Sequence, residues 1–175
     1  MGVPKKIHLY SMVHWQNIAT ILQNGLCCKN HPNADANYIN IGHQQLILDR
    51  HTYPIPFKNS GTLGEYIPFY FGGHSPMLYL INNGYQGVQQ LPQEDIVFIV
   101  STFTKIKETG LEFVFTDRNA KLSLANYYQS EKDLDKIQWD IVKSKYWRND
   151  ETNVARQDYK QAEFWVRNYI PVSCI

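Results

Sequence analysis

Runs of aromatic and β-branched residues recur along this chain, and their arrangement limits the folds that it can adopt. Such residues favour strands over helices. The runs cover residues 7–13, 66–71, 96–103, 111–115 and 159–166. The predicted helices do not alternate regularly with these strands, which argues against a doubly wound sheet. The sequence therefore predicts an α+β fold.

Helix signals are fewer but specific. Residues 14–26 place apolar side chains at helical spacing and end at Asn24-Gly25, a typical C-cap. Ser75 as N-cap and Pro76 in the first helical position predict a second, short helix. Residues 131–147 have the spacing of an amphipathic helix. Its predicted inward positions are Leu134, Ile137, Ile141 and Val142.

A long segment between the first helix and the second strand is rich in Asn, His, Pro and Gly. It covers residues 27–64, with enough Ile and Leu over residues 39–50 for a short helix or turn. Loops of this length inside a domain are usually functional or mobile. We therefore expect this segment to be functional or mobile.

Length, charge and cysteine content set outer limits. The 175 residues suit a single domain, residues 1–175, and the formal net charge of +1 supplies no global field for nucleic acid. The three cysteines are odd in number and form no C-x-x-C pair, so no disulfide framework is expected. No apolar run approaches 18 residues, the length that a membrane span needs. These features favour a cytoplasmic protein that does not contact a membrane.

Several common motifs are absent from the sequence. There is no G-x-G-x-x-G after a strand and no P-loop, which argues against a Rossmann dinucleotide site or a P-loop phosphate site. There is no H-E-x-x-H and no Cys/His quartet, so we expect no metal. The G-x-S-x-G motif of α/β-hydrolases is also missing.

The candidates for chemistry are single polar residues in apolar surroundings. Glu163 interrupts a strand-like run, where an acid is tolerated only if it faces solvent or a working cleft. Arg50 follows an Ile-Leu run and suits bidentate binding of a phosphate or carboxylate, unless it only pairs with Asp49 or Glu65. His74 precedes a predicted helix, where an anion can bind, or is a plain loop histidine.

Basic and aromatic residues mix between residues 143 and 167. They are Lys143, Lys145, Arg148, Arg156, Lys160 and Arg167, with Tyr146, Trp147, Tyr159 and Trp165. Cations for phosphates and ring faces for bases are what single-stranded nucleic acid requires. Because acids are also present there, an ordinary solvated surface is the alternative.

Four blocks of the sequence form a specific set: LYSMVHWQNI (9–18), YIPFYFGGHSPML (66–78), FVFTDRNA (113–120) and KQAEFWV (160–166). Together they resemble the DarT family of DNA ADP-ribosyltransferase toxins from bacterial toxin–antitoxin pairs. Each block alone is weak, but they stand in the family's order and span nearly the whole chain. The resemblance implies an ADP-ribosyltransferase fold, a split β-sandwich whose cleft holds NAD⁺, the substrate, without a Rossmann motif.

The resemblance also implies roles for particular residues. Glu163 matches the catalytic glutamate, and Arg50 matches an arginine near NAD⁺ and the target base. Ser11, Met12 and Val13 match the first-strand segment that lines the NAD⁺ site through backbone groups.

The implied substrate is single-stranded DNA, because a base inside a duplex cannot reach a recessed cleft. His74, Met77 and Lys160 are the candidate nucleic-acid contacts, and residues 119–163 match the region that presents the substrate. The Gly-Gly-His-Ser-Pro-Met form of residues 72–77 resembles the branch that modifies guanosine. A monomer with a cognate DarG-like antitoxin is the implied state.

Other functions stay open at this point. The same chemistry could act on thymidine, on RNA or on protein side chains. A non-enzymatic module could instead bind single-stranded nucleic acid in a salt-sensitive manner without consuming NAD⁺. A glycoside hydrolase is disfavoured because a second carboxylate is not apparent.

Overall fold

The computed structural model describes residues 2–175, and these contain eight strands. They are β1 (His8–His14), β2 (Leu26–Cys27), β3 (Tyr66–Tyr70), β4 (Ile96–Thr102), β5 (Phe113–Thr116), β6 (Tyr127–Tyr128), β7 (Glu163–Arg167) and β8 (Tyr169–Ile170). Six of them form a sheet in the order β4-β1-β3-β7-β5-β6, and β2 pairs with β8. The pairings are antiparallel, as an α+β fold without βαβ units requires.

Short helices flank the sheet. They are α1 (Ile18–Asn24), α2 (Gln44–Arg50), α3 (Pro76–Asn83), α4 (Phe103–Glu108), α5 (Trp139–Lys143) and α6 (Arg156–Tyr159). Two predicted helix ends are confirmed: Gly25 closes α1 with φ 77°, and the Ser75 side chain accepts a hydrogen bond from Met77 N before Pro76 starts α3. None of the helices within residues 2–175 is long and apolar enough to cross a bilayer.

The continuous helix predicted over residues 131–147 is wrong. A 3₁₀ helix, Glu131–Lys136, ends at Ile137, whose backbone is extended, and α5 begins after it. The indole N–H of Trp139 donates to the Leu134 carbonyl at 2.8 Å and stabilises the break. The inward positions are nevertheless confirmed as buried: Leu134, Ile137, Ile141 and Val142. The apolar period located the buried face but not the helix break.

Alternate residues of β7 face opposite sides of the sheet. Phe164 and Val166 belong to the main core, whose members include Leu9, Phe69 and Phe115. Trp165 belongs to a smaller cluster on the other side, with Ile55, Leu63, Tyr66, Val114 and Ala120. Because side chains alternate along a strand, Glu163 lies on the side of Trp165. The predicted strand start at Tyr159 is wrong, since that residue ends α6 and β7 begins at Glu163.

The sheet opens between β1 and β3. β1 pairs with β4 along its whole length, from His8 opposite Thr102 to His14 opposite Ile96. Its register with β3, across the described part of the chain, is the single pair Tyr10–Tyr70. Pro68, further along this edge of β3, has no N–H to give to a ladder. The two strands therefore diverge and leave a cleft in the sheet.

Candidate active site

A cleft of about 660 Å³ occupies the opening between β1 and β3. Its walls include Ser11 and Met12 of β1, Pro68 of β3 and Arg50 at the end of α2. The segment of residues 27–64 contributes much of the remaining wall, among it Cys27, Lys29, Tyr38, Ile41 and Leu48. A volume in this range is typical of small-molecule and cofactor sites. The long segment therefore borders this cleft.

A smaller lobe of about 70 Å³ adjoins the main cleft on the side of α3. Tyr70 and Met77 line this lobe. Ser11, Met12 and Arg50 line both lobes. The lobes thus meet at β1 and at the end of α2.

Glu163 is buried behind this junction. Its side chain is 1% exposed, and its Oε2 accepts a hydrogen bond from the backbone N–H of Ala120 at 2.7 Å. Its Oε1 has no hydrogen-bond partner among residues 2–175 and lies 3.8 Å from Nη2 of Arg50. Burial raises the pKa of Glu163 to about 7, although Arg50 and the Ala120 N–H act in the opposite direction. The carboxylate is therefore poised to gain or lose a proton near neutral pH.

Arg50 connects the buried carboxylate to the cleft. Its Cζ lies 4.8 Å from the ring centroid of Trp165, so the guanidinium contacts an aromatic face on one side and Glu163 on another. Its side chain is 21% exposed and lines both lobes. Arg50 is therefore the cation that a ligand in the cleft meets directly in front of Glu163.

The structure excludes the surface pairings considered for Arg50. Asp49 pairs with Lys121 instead, and Glu65 pairs with Arg167 at 3.1 Å. Both acids that were considered as partners of Arg50 are thus paired with other residues. Arg50 keeps its charge available to Glu163 and to the cleft.

A loop between β5 and β6, residues 117–126, positions the Glu163 carboxylate. Asp117 closes the loop by accepting hydrogen bonds from the backbone N–H and the side-chain amide of Asn126, at 3.1 and 2.8 Å. The hydroxyl of Tyr127 donates to the Ala120 carbonyl at 2.7 Å, while the Ala120 N–H donates to Glu163. The loop therefore holds Ala120 in place, and Ala120 in turn orients the Glu163 carboxylate.

The next residue of this loop reaches α2. Lys121 forms an ion pair with Asp49, the neighbour of Arg50 in sequence. Ala120 and Lys121 together therefore hold both Glu163 and the end of α2. Sequence reasoning missed both residues, because a backbone N–H donor and a long-range ion pair leave no signal in a single sequence.

The other predicted NAD⁺-site residues divide into two groups. Ser11 and Met12 lie on the cleft wall beside Arg50. The side chain of Val13 is 1% exposed and packs in the main core. Val13 lines neither lobe, so its role in NAD⁺ binding stays a prediction.

The three predicted nucleic-acid residues also differ in placement. Met77 lines the smaller lobe, and His74 is exposed in the turn that leads into α3. Lys160, in contrast, is 3% exposed, and its Nζ donates to the carbonyls of Ile141, at 3.3 Å, and Val142, at 2.5 Å, as well as to that of Ser144. Burial lowers its pKa to about 8. The structure thus corrects the expectation of an exposed cation: Lys160 caps the end of α5.

Comparison with known proteins identifies relatives over nearly the whole chain. The sequence model described as "DarT: ssDNA thymidine ADP-ribosyltransferase, DarT" matches residues 10–175. A DNA ADP-ribosyl transferase of Escherichia coli O127:H6 is 39% identical over 172 residues, covering 98% of this chain and 79% of the relative. A DNA ADP-ribosyl transferase of Thermus sp. (strain 2.9) is 32% identical, covering 98% of this chain and 80% of the relative.

Solved structures show the same fold. The structure of Thermus sp. 2.9 DarT in complex with ADP-ribosylated ssDNA superimposes with a TM-score of 0.87 at 30% identity, covering 100% of this chain and 81% of the other. That of Thermus sp. 2.9 DarT in complex with NAD⁺ gives 0.79 at 31% identity, covering 98% and 80%. These matches confirm the predicted fold class.

Proposed function

This chain belongs to the DarT family of DNA ADP-ribosyltransferases, and we propose that it transfers ADP-ribose from NAD⁺ to a base of single-stranded DNA and releases nicotinamide. Related structures contain NAD⁺ in one case and ADP-ribosylated ssDNA in another. The observation that carries the proposal is the ion pair between the buried Glu163 and Arg50, with Oε1 and Nη2 3.8 Å apart, in which Arg50 lines a cleft of about 660 Å³.

The cleft offers NAD⁺ two kinds of contact. The edge of β1 at Ser11 and Met12 faces the opening and does not form a continuous ladder with β3. Its backbone groups are therefore available to the polar substituent on the nicotinamide ring of NAD⁺. Arg50 supplies a guanidinium for phosphate oxygens. NAD⁺ therefore binds with its nicotinamide–ribose end toward Glu163 in this proposal.

Arg50 also links the substrate to the carboxylate. It contacts Oε1 of Glu163 and lies on the cleft wall. A phosphate that binds Arg50 is therefore held in front of Oε1. The charge of Arg50 also favours the carboxylate form of Glu163.

Glu163 then serves both halves of the reaction. When the glycosidic bond breaks, its electron pair leaves with the nicotinamide nitrogen, and the ribose carbon becomes cationic. The Glu163 carboxylate stabilises this cation. A base nitrogen attacks the same carbon and gives its proton to Glu163, whose pKa of about 7 suits that transfer.

Two bases are candidates for modification. The matching family model is described as acting on thymidine in ssDNA, and this supports thymidine. The form of residues 72–77 resembles the guanosine-modifying branch, and this supports guanosine. Met77, from that segment, lines the smaller lobe, where the target base would enter beside Arg50. We take thymidine as the first candidate and guanosine as the second.

A partner follows from the activity. A cell that makes a DNA-modifying transferase must limit or reverse the modification, so we propose a cognate DarG-like antitoxin that removes ADP-ribose, binds the enzyme, or does both. Co-expression of the antitoxin should restore growth to cells that make this protein.

The function is tested by incubating the protein and NAD⁺ with oligonucleotides that each contain one thymidine or one guanosine, as DNA and as RNA. Mass spectrometry of the product identifies the nucleotide that gains ADP-ribose. Transfer to DNA at one base supports the proposal and selects the base. Transfer to RNA alone, or binding without nicotinamide release, contradicts it.

A further inference from the structure

Three aromatic rings form a cluster on the surface near α3, which we call the aromatic surface: Tyr79, Tyr85 and Trp147. The Tyr79 ring centroid lies 5.7 Å from that of Tyr85 and 5.3 Å from that of Trp147. The ring planes are tilted by 59° and 48°, so the rings do not cover each other's faces. Tyr79 is 37% and Tyr85 50% exposed, and Trp147 is half-buried. Exposed clusters of large aromatic side chains often mark interaction sites on soluble proteins.

Cations accompany these rings. Arg148 is exposed, and its Cζ lies 5.9 Å from the Trp147 ring centroid. Lys143 and Lys145, just before it, are exposed as well. Two acids follow along the chain: Asp150 is engaged by Arg156 at 2.9 Å, and Glu151 is exposed. The aromatic surface therefore combines ring faces with positive charge, which favours an anionic ligand that carries flat rings.

Two contacts fix this surface relative to the cleft. The buried Lys160 holds the last carbonyls of α5, from which the segment bearing Trp147 runs. Gly72, two residues after β3, lies so close to α5 that a Cβ there would come within 2.5 Å of the Val142 carbonyl oxygen. The end of α5 is thus packed beside the turn that joins β3 to α3, and the segment that bears Trp147 follows it.

The same helix borders both the cleft and the aromatic surface. Met77 lines the smaller lobe, and Tyr79 follows it by two residues, which places the two side chains on different sides of α3. A helix with its side chains is about 10 Å across. A strand that leaves the cleft past the exposed His74 therefore needs only a few nucleotides to reach Tyr79.

From this arrangement we propose that the aromatic surface binds bases of the DNA strand that flank the target nucleotide, with Lys143, Lys145 and Arg148 near the phosphates between them. This inference rests on the proposed function, since it takes single-stranded DNA as the ligand. It predicts that affinity depends on DNA length beyond what the cleft itself contacts.

The test compares two oligonucleotides by fluorescence anisotropy without NAD⁺: the shortest one that binds, and one extended by about ten nucleotides on each side. Tyr79→Ala and Trp147→Ala should weaken binding of the extended oligonucleotide about tenfold and leave the short one unchanged. Tyr79→Phe keeps a ring and should bind like the wild type. Trp15→Ala removes a ring that is 49% exposed but lines neither lobe, and it is the matched control.

Each outcome decides the inference. Unchanged binding of the extended oligonucleotide overturns it, and so does equal weakening for both lengths. If one variant unfolds, Tyr85→Ala gives the same comparison. Because the assay needs no transfer, a wild type that prefers the extended DNA but releases no nicotinamide would sink the proposed function and leave this inference standing.

Discussion

Ala120 donates its backbone N–H to Oε2 of Glu163 at 2.7 Å, across 43 positions in the sequence. Because this bond occupies Oε2, the other oxygen is directed at Arg50. The Tyr127 hydroxyl fixes the carbonyl of the same alanine. The orientation of the proposed catalytic carboxylate is therefore set by a loop, not only by the strand that bears it.

Tyr127→Phe tests the role of this loop. The N–H of Ala120 favours the charged form of Glu163, so loosening Ala120 should raise the pKa of Glu163 further. We expect kcat/KM at pH 7 to fall about threefold to tenfold, with the pH midpoint moved upward, as loss of one hydrogen bond implies. Tyr128→Phe is the control, since that ring stacks on Phe115 at 5.3 Å. Equal pH midpoints for wild type and Tyr127→Phe would refute the positioning role.

The activity should depend on pH through Glu163. Its pKa is raised to about 7 by burial, so the carboxylate form needed to stabilise the ribosyl cation is scarce at pH 6 and dominant at pH 8. We expect kcat/KM for transfer to rise with pH and level off above a midpoint near 7. A profile that is flat between pH 5.5 and 8.5 contradicts an essential carboxylate with this pKa.

Glu163→Gln should change how stability depends on pH. The folded pKa of about 7 lies above the ordinary 4.5, so between these values the folded protein binds more protons than the unfolded chain. The free energy of unfolding of the wild type therefore falls as pH rises from about 4.5 to about 7. The variant lacks this loss and should be more stable at pH 8 by roughly 1 to 3 kcal/mol. Urea unfolding at pH 4.5 and pH 8 measures both slopes.

The ion pair between Lys121 and Asp49 should matter for NAD⁺ binding. It ties the loop of residues 117–126 to the helix end that carries Arg50. We expect Lys121→Ala to raise KM for NAD⁺ about threefold or more, because a displaced Arg50 would orient the phosphates of NAD⁺ less well. Lys136→Ala removes an exposed pair with Asp135 and should have no effect. A KM unchanged in both variants would show that α2 is held by other contacts.

The local sequence pattern was sufficient to predict much of the fold. The strands β3 and β4 lie where aromatic and β-branched runs predicted them, and α3 starts with the predicted Ser75 and Pro76. These features depend on residues within one turn or one strand, so neighbouring residues determine them. Glu163 stood out for a local reason as well, because an acid inside a strand needs a special environment.

Long-range contacts account for what the sequence did not predict. Lys160 looked like a solvated cation, yet carbonyls 16 to 19 residues earlier surround it. The break at Ile137 depends on the Trp139 indole reaching back to a carbonyl. The loop that holds Glu163 acts through a backbone N–H, which every residue except proline carries. Such features depend on where distant segments meet, which a single sequence does not reveal.

The most direct test of the central claim measures ADP-ribose transfer by the wild type and by Glu163→Gln. Each protein is incubated with NAD⁺ and a single-stranded DNA oligonucleotide, and the product is read by mass spectrometry. The glutamine keeps the shape and the acceptor for Ala120 but has no charge for the ribosyl cation, so transfer should fall at least about a hundredfold while NAD⁺ binding persists. Transfer at the wild-type rate by a folded Glu163→Gln protein would contradict the account.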